Sequence, residues 1–235
     1  MTDPDLMRRI ADLTTPHLAD GALRAGVPVR CGPAGLRPVS PGGRLAGRVL
    51  PARHAGSVDV FLEALETAEP GDILVADNAG RLDEACIGDL FTLEARMAGA
   101  AGIVIWGLHR DTAEIREIGT PVFSLGALPT GPLRLDPRPP GALEFAFVGD
   151  WMVGPDDLVV ADDDGVLFLP VSDARAVVAA AEGVRDVERR QAAAMGAGTR
   201  LRDQVRFAEY LAARRAEPDL GFREHLARLG GAIEV

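Results

Sequence analysis

Hydrophobic positions along the chain keep two rhythms, and their alternation lays out the elements. Helical spacing links Leu6, Ile10 and Leu13 and then, after a restart at Thr14-Thr15-Pro16, Leu18 and Leu23. It returns in Val58, Phe61, Leu62 and Leu65, and again in Leu90, Leu93, Met97 and Ala98, each set predicting one apolar helix face. Between these lie apolar runs too short for a helix, at 45–50, 72–76, 102–106, 122–125, 144–148, 158–161 and 166–169, with a strand-like piece at 37–39. They predict strands, and an unbroken run such as Gly102-Ile103-Val104-Ile105-Trp106 suits a strand covered on both faces. After a Ser172-Asp173 cap, Val177, Ala180, Ala181 and Val184 predict a helix to about Gln191, broken by Met195-Gly196-Ala197-Gly198. Leu201, Val205, Ala208, Leu211 and Ala212 predict one further helix, followed by Pro218 and a last segment at 221–229.

Strands alternating with helices predict an α/β chain, with one domain at 1–198 and a helical C-terminal extension at 199–235. That extension is too small to bury its apolar face alone, so it is expected at a subunit interface. The Pro- and Gly-rich stretch 126–141 predicts a long loop, suited to a subunit contact or a site lid. Asp162-Asp163-Asp164-Gly165 lacks the alternate-residue spacing and distal Glu of a calcium loop and predicts a hairpin turn.

Charge and composition narrow the chemistry. The 25 basic against 35 acidic residues give a net charge of −10, and no basic stretch is interleaved with aromatics, which argues against a nucleic-acid partner. Every basic residue is arginine; without lysine, a Schiff-base mechanism is excluded. Cys31 and Cys86 are isolated thiols, fitting neither a zinc site nor a disulfide framework and suiting a reducing, cytoplasmic setting. No signal-peptide pattern opens the chain and no apolar run approaches the ~18 residues of a membrane span, so a soluble protein with no membrane partner is expected. His17 reads as a surface or packing residue, Asp77 as a turn residue that could stand behind a site, and Arg44, Arg48 and Arg53 as solvated.

The strongest chemistry lies between Gly88 and Glu114. A turn at Gly88 opens a helix, a strand follows, and the chain then turns through Gly107 to present Arg110-Asp111. Two loops thus meet near one end of a sheet. Free amides at a helix start and an arginine fork both bind carboxylates, and a lone Asp with open positions beside it can hold Mg²⁺. Such a pocket suits a small oxoacid. Asp111-Thr112-Ala113-Glu114 also has the form of a helix cap, in which Asp111 caps and Glu114 reaches back; both roles can coexist.

Gly88-Asp89-Leu90, followed one helix and one strand later by Arg110-Asp111-Thr112-Ala113-Glu114, resembles the family of the ribonuclease regulator RraA and the class II 4-hydroxy-4-methyl-2-oxoglutarate aldolases. The likeness extends through Gly71-Asp72-Ile73-Leu74-Val75 and 157–166, over roughly residues 10 to 195. Trp106 stands where the family pattern has an Asp, and His109 where it has a small aliphatic residue. The resemblance implies a swivelling β/β/α fold, assembled as a homotrimer or dimer of trimers, and a metal-assisted lyase that releases pyruvate from a 4-hydroxy-2-oxo diacid or from oxaloacetate. It assigns Arg110 to the substrate and developing charge, Asp111 to Mg²⁺ or Mn²⁺, and Glu114 to a metal water. Gly88, Asp89, Leu90 and Phe91 would hold the substrate carboxylate, with Asp89 orienting a proton-shuttling water. The family also implies an acidic residue from the adjacent chain, for which Glu188 and Glu224 are candidates. A protein-binding regulator is the alternative; methyl transfer ranks last, since no glycine-rich cofactor loop follows a first strand.

Overall fold

Runs of β-branched and small apolar residues pair edge to edge in the computed structural model, which describes residues 3–229. In chain order the strands are β1 (Arg30–Cys31), β2 (Arg37–Pro38), β3 (Leu45–Arg53), β4 (Ile73–Asp77), β5 (Ala85–Ile87), β6 (Gly102–Trp106), β7 (Leu108–His109), β8 (Val122–Ser124), β9 (Ala146–Val148), β10 (Trp151–Val153), β11 (Asp157–Asp162) and β12 (Gly165–Pro170). The helices are α1 (Pro4–Ala11), α2 (Thr15–Arg24), α3 (Asp59–Leu65), α4 (Asp89–Met97), α5 (Thr112–Ile118), α6 (Ala174–Gly196), α7 (Leu201–Gln204), α8 (Phe207–Ala216) and α9 (Phe222–Leu229). Contacts divide the chain into two compact units: the chain up to Pro16 with Val29–Arg175, and His17–Pro28 with the chain from Ala176 on.

The first unit is built on a sheet of order β1-β12-β11-β3-β4-β6-β8-β2. Its centre, β3-β4-β6-β8, is parallel and carries the continuous apolar runs; the pairings of β1, β11, β12 and β2 are antiparallel. One face packs around Phe61, Ile103 and Ile105, the other around Phe123, Phe168 and Val104, all of them sealed from solvent. Truncating a phenylalanine at such a position costs about 3–5 kcal/mol. The turn at Asp163-Asp164 closes β11 on β12, with Asp162 opposite Gly165, as the hairpin reading requires. Asp162 itself is buried, accepting from the amide and hydroxyl of Thr15 (2.8 and 2.6 Å).

Two helices depart, one of them only in part, from the inward face that their apolar spacing predicts. On α4, Leu90, Leu93 and Met97 are exposed (78%, 41% and 74%), while Phe91, Thr92 and Ala95 are buried. Thr92 can go inside because its hydroxyl donates to the carbonyl of Gly88 (2.8 Å), and Phe91 meets the ring of Phe61 at 5.4 Å. On α3 the expected face holds in part: Phe61 and Leu65 are buried, joined by Val60 and Ala64, while Val58 and Leu62 are exposed.

The arginines expected in solvent are engaged. Arg48 holds the buried Asp72 through Nε and Nη2 (3.0 and 2.7 Å). Arg53 contacts Asp77 at 3.3 Å and lies over the rings of Phe145 and Phe147, and Arg44 donates to the carbonyl of Leu13. Asp77, read as a turn residue, ends β4 and is buried, accepting from the amides of Ala79 and Phe147.

In the second unit Gly21 allows α2 and α6 to meet closely: a Cβ there would stand 2.6 Å from the carbonyl oxygen of Val177 and 2.8 Å from the Cβ of Ala181. His17 pairs with Glu188 (3.1 Å). The single helix expected after Thr199 is two, α7 and α8, because Arg206 takes a left-handed conformation (φ 46°) that ends the first. The tail also has an apolar centre of its own, in which Tyr210 contacts Phe207, Phe222 and His225, and Leu220 and Leu226 are buried. Residues 230–235 of the expected extension lie outside the described residues. Among the described residues no helix is long and apolar enough to cross a membrane.

Candidate active site

Two short strands that the apolar pattern does not announce, β5 and β7, bring the candidate residues together. They pair in parallel with Ile87 opposite His109, and the amide of Arg110 donates to the carbonyl of Ile87 (3.0 Å). The residues that follow each strand, Gly88 on one side and Arg110-Asp111 on the other, therefore emerge side by side.

Gly88 is needed for space. Its backbone is extended (φ −131°, ψ −164°), but a Cβ would stand 2.3 Å from Oδ2 of Asp111 and 3.2 Å from Nε of Arg110. The first helical bond of α4 runs from the amide of Thr92 to Gly88 (3.1 Å), so the amides of Asp89, Leu90 and Phe91 precede the helical ladder and point to where an acceptor can meet them. Two of them meet carboxylates: Asp89 donates to Oδ2 of Asp111 at 3.4 Å, and Leu90 to Oδ1 of Asp89 at 2.7 Å.

Asp111 sits in the left-handed region (φ 59°, ψ 45°), which Asp and Asn enter more readily than other side chains. Although it occupies the N-cap position of α5, its side chain makes no capping bond. The capping-box alternative is thus not realised; the carboxylate turns instead toward Asp89 and toward Nε of Arg110, 3.3 Å away. Both contacts are long and the two side chains are 49% and 36% exposed, so the pair keeps open positions. Glu114 is exposed on the first turn of α5 and does not line the cleft.

The cleft has a volume of about 280 Å³. Gly88, Asp89, Leu90, Phe91 and Arg110 line it, together with His54, Val58, Ala85, Cys86, Ile87 and Pro132. Pro132 belongs to the long loop 126–141, which is a wall of the cleft: Ala85 donates to the carbonyl of Thr130 (2.9 Å), and a Cβ on Gly131 would come within 3.0 Å of Nη1 of Arg110. His109 braces the site from behind, its Nδ1 on Ser124 (2.7 Å) and Nε2 on Thr112 (2.9 Å), and burial pushes its pKa down. Trp106 packs against Gly80 and is not part of the lining.

His54 is the lining residue that sequence reasoning missed. It directly follows β3, and no periodicity marks it. Behind it, buried Glu84 binds Arg134 (2.9 Å from Nη2), Arg134 also donates to Oδ1 of Asn78 (3.0 Å), and the same oxygen is 2.9 Å from Nδ1 of His54. Burial lowers the pKa of His54, with nearby Arg134 adding to the effect and Asn78 and Glu84 opposing it. Burial also pushes the Cys86 thiol far up, leaving it an inert wall.

Among the described residues no group of three or more His, Cys, Asp or Glu is placed to hold a metal ion. One half-exposed carboxylate beside a cleft open to water and substrate oxygens fits Mg²⁺, which keeps several waters and binds through one or two carboxylates.

The chain and its architecture have counterparts among known proteins. The family model described as "RraA-like: Aldolase/RraA" matches residues 15–168. A Burkholderia multivorans protein, whose name provisionally assigns it 4-hydroxy-4-methyl-2-oxoglutarate aldolase activity, is 33% identical over 164 residues, 69% of this chain and 94% of that one. The 4-hydroxy-4-methyl-2-oxoglutarate aldolase of Thermus thermophilus is 32% identical over 54% of this chain and 76% of its own. The crystal structure of Streptomyces coelicolor RraAS2, described as an unusual member of the RNase ES inhibitor RraA protein family, aligns at a TM-score of 0.70 and 28% identity, covering 80% of this chain and 95% of that one. These matches lead to one statement: the chain belongs to the RraA-like family, Aldolase/RraA.

Proposed function

We propose that the chain is a carbon–carbon lyase that releases pyruvate from a 4-hydroxy-2-oxo diacid or from oxaloacetate, with a divalent cation at Asp111. The observation that carries this reading is the placement of Arg110 and Asp111 against the first turn of α4, with positions left open on both. Retro-aldol cleavage and decarboxylation share one requirement, stabilisation of the pyruvate enolate. A divalent cation such as Mg²⁺, held by Asp111 with Glu114 positioning one of its waters, would supply Lewis acidity at the keto oxygen. Arg110 offsets the charge that develops beside that oxygen. The substrate carboxylate takes the amide of Phe91 and displaces Asp89 from the amide of Leu90, and Asp89 then orients a water that delivers a proton to the methylene carbon of the enolate. The relatives named as 4-hydroxy-4-methyl-2-oxoglutarate aldolases support this reading.

A second reading, a protein-binding regulator, draws on the exposed stripe of Leu90, Leu93 and Met97 and on the likeness to RraAS2. Exchange of pyruvate methyl protons in D₂O, followed by NMR, separates the two. A lyase exchanges them with Mg²⁺ and stops in excess EDTA; a regulator exchanges nothing. Assembly as a homotrimer or dimer of trimers is proposed on the same footing, and an active monomer at micromolar concentration by light scattering would refute it.

A further inference from the structure

We propose that Arg134 is a positioning residue for Arg110: anchored on Glu84 and Asn78, it holds the loop wall that keeps the Arg110 guanidinium turned to the substrate. The role rests on the lyase reading and concerns how one chain shapes its own side of the site.

Apolar packing does not hold loop 126–141 in place. None of its residues is buried, and Leu133 and Leu135 are 97% and 78% exposed. Between those two leucines Arg134 turns inward, the reverse of what hydropathy favours. Its Nε lies 3.0 and 3.2 Å from the two carboxylate oxygens of Glu84, and its Nη2 lies 2.9 Å from Glu84 and 3.0 Å from Oδ1 of Asn78. Glu84 and Asn78 are 3% and 1% exposed, so the grip is made in a socket closed to water. A planar fork that holds two partners at once fixes direction as well as distance. The backbone follows the side chain down: the amide of Asp136 donates to the carbonyl of Ala55 (2.8 Å), and a Cβ on Gly56 would stand 2.2 Å from the carbonyl oxygen of Arg134. Farther along the loop Arg138 pairs with Glu63, but both side chains are exposed and such a pair adds little.

The loop passes that hold on to Arg110. Just ahead of Arg134, Gly131 lies against the Arg110 guanidinium, where an added Cβ would stand 3.0 Å from Nη1 and 3.9 Å from Cζ. Pro132 lines the cleft beside it. On its other edge Arg110 has the 3.3 Å contact of Nε with Asp111, and half of its side chain is in solvent. A long side chain with one loose contact samples many rotamers unless something limits it. Here the limit on the Nη1 edge is the loop. The latch lies wholly within one chain, so it acts in the same way whatever a neighbouring copy adds to the cleft.

The test uses the full chain with Mg²⁺ and reads pyruvate methyl exchange in D₂O per folded molecule, with melting temperatures alongside. Oxalate, a planar mimic of the enolate, is titrated by calorimetry as a second readout for variants that exchange too slowly to measure. Arg134→Met is expected to lose about 10-fold in exchange and in oxalate affinity, because a reacting group displaced by a fraction of an ångström is costly. Arg134→Lys keeps the charge in the socket but not the fork and is expected to lose about 3-fold. In an Arg110→Lys background the further loss from Arg134→Met is expected to stay within about 2-fold, since a residue that acts through Arg110 has nothing left to position. A parent that neither exchanges pyruvate protons nor binds oxalate overturns the lyase reading, and the role of Arg134 with it. A parent that exchanges while Arg134→Met matches it, or Arg134→Met costing the same factor in both backgrounds, overturns the role of Arg134 and leaves the lyase reading standing. Should Arg134→Met not fold, Arg134→Lys goes through the same cycle with the same criteria.

Discussion

Two arginine–aspartate pairs in this molecule use the same groups to opposite ends. Arg48 meets Asp72 through two nitrogens, and Asp72, 3% exposed, also accepts from the amide of Glu69 (2.9 Å). The acceptor positions of Asp72 are taken, and the pair ties β3 to the start of β4. Arg110 and Asp111 share one 3.3 Å contact, half in solvent, beside a cleft. What separates the structural pair from the one proposed to be reactive is not charge but the positions left unfilled, and substitutions can test that distinction directly.

The largest expected effect is on the open pair. Arg110→Lys keeps a positive charge but loses the planar fork, and turnover should fall on the order of 10²-fold or more with an unchanged melting temperature. Asp111→Asn should match that loss by weakening the proposed metal site; Asn tolerates the left-handed conformation, so the fold should persist. Pyruvate exchange at parent rates in Asp111→Asn would contradict the assignment. In the sealed pair the pattern should invert. Asp72→Ala leaves a guanidinium without its carboxylate and should cost about 2–3 kcal/mol in urea unfolding, with turnover per folded molecule unaltered.

A smaller effect comes from pH. Because the folded-state pKa of His54 lies below its ordinary value, the unfolded chain takes up that proton first as pH falls. His54 therefore costs no stability well above pH ~6.5 and increasingly destabilises the fold as pH drops through and below it, until the folded-state ring also protonates. His54→Gln should flatten that part of the stability profile, and an unchanged slope would show that other groups carry it. Smallest is a thiol count. Iodoacetamide at mild alkaline pH should modify exposed Cys31 slowly and spare Cys86 until the chain is unfolded, as intact-mass measurement would show.

Long apolar runs made the central strands legible, since burial on both faces leaves few polar positions to confuse the period. The same logic failed on α4, where Leu90, Leu93 and Met97 suggest a core face but a threonine whose hydroxyl bonds backward and a phenylalanine that stacks on Phe61 decide the orientation. Gly88, Arg110 and Asp111 could be nominated from motif spacing, yet their juxtaposition depends on β5 and β7, three and two residues long, which carry no period at all. His54 was illegible because its meaning lies in a network assembled from Asn78, Glu84 and Arg134, far apart along the chain.

Gly88 gives the site an all-or-nothing evolutionary character. The missing side chain there is the room that Asp111 and Arg110 occupy, so even the smallest replacement displaces the groups on which the proposed chemistry depends. Its extended backbone suits any amino acid, and a saturation library at this codon should therefore yield many folded proteins. Selection for catalysis would return one letter from that library, while selection for solubility alone would return most of the alphabet. A lineage that stopped needing the reaction could leave glycine in a single step and keep the fold for another purpose.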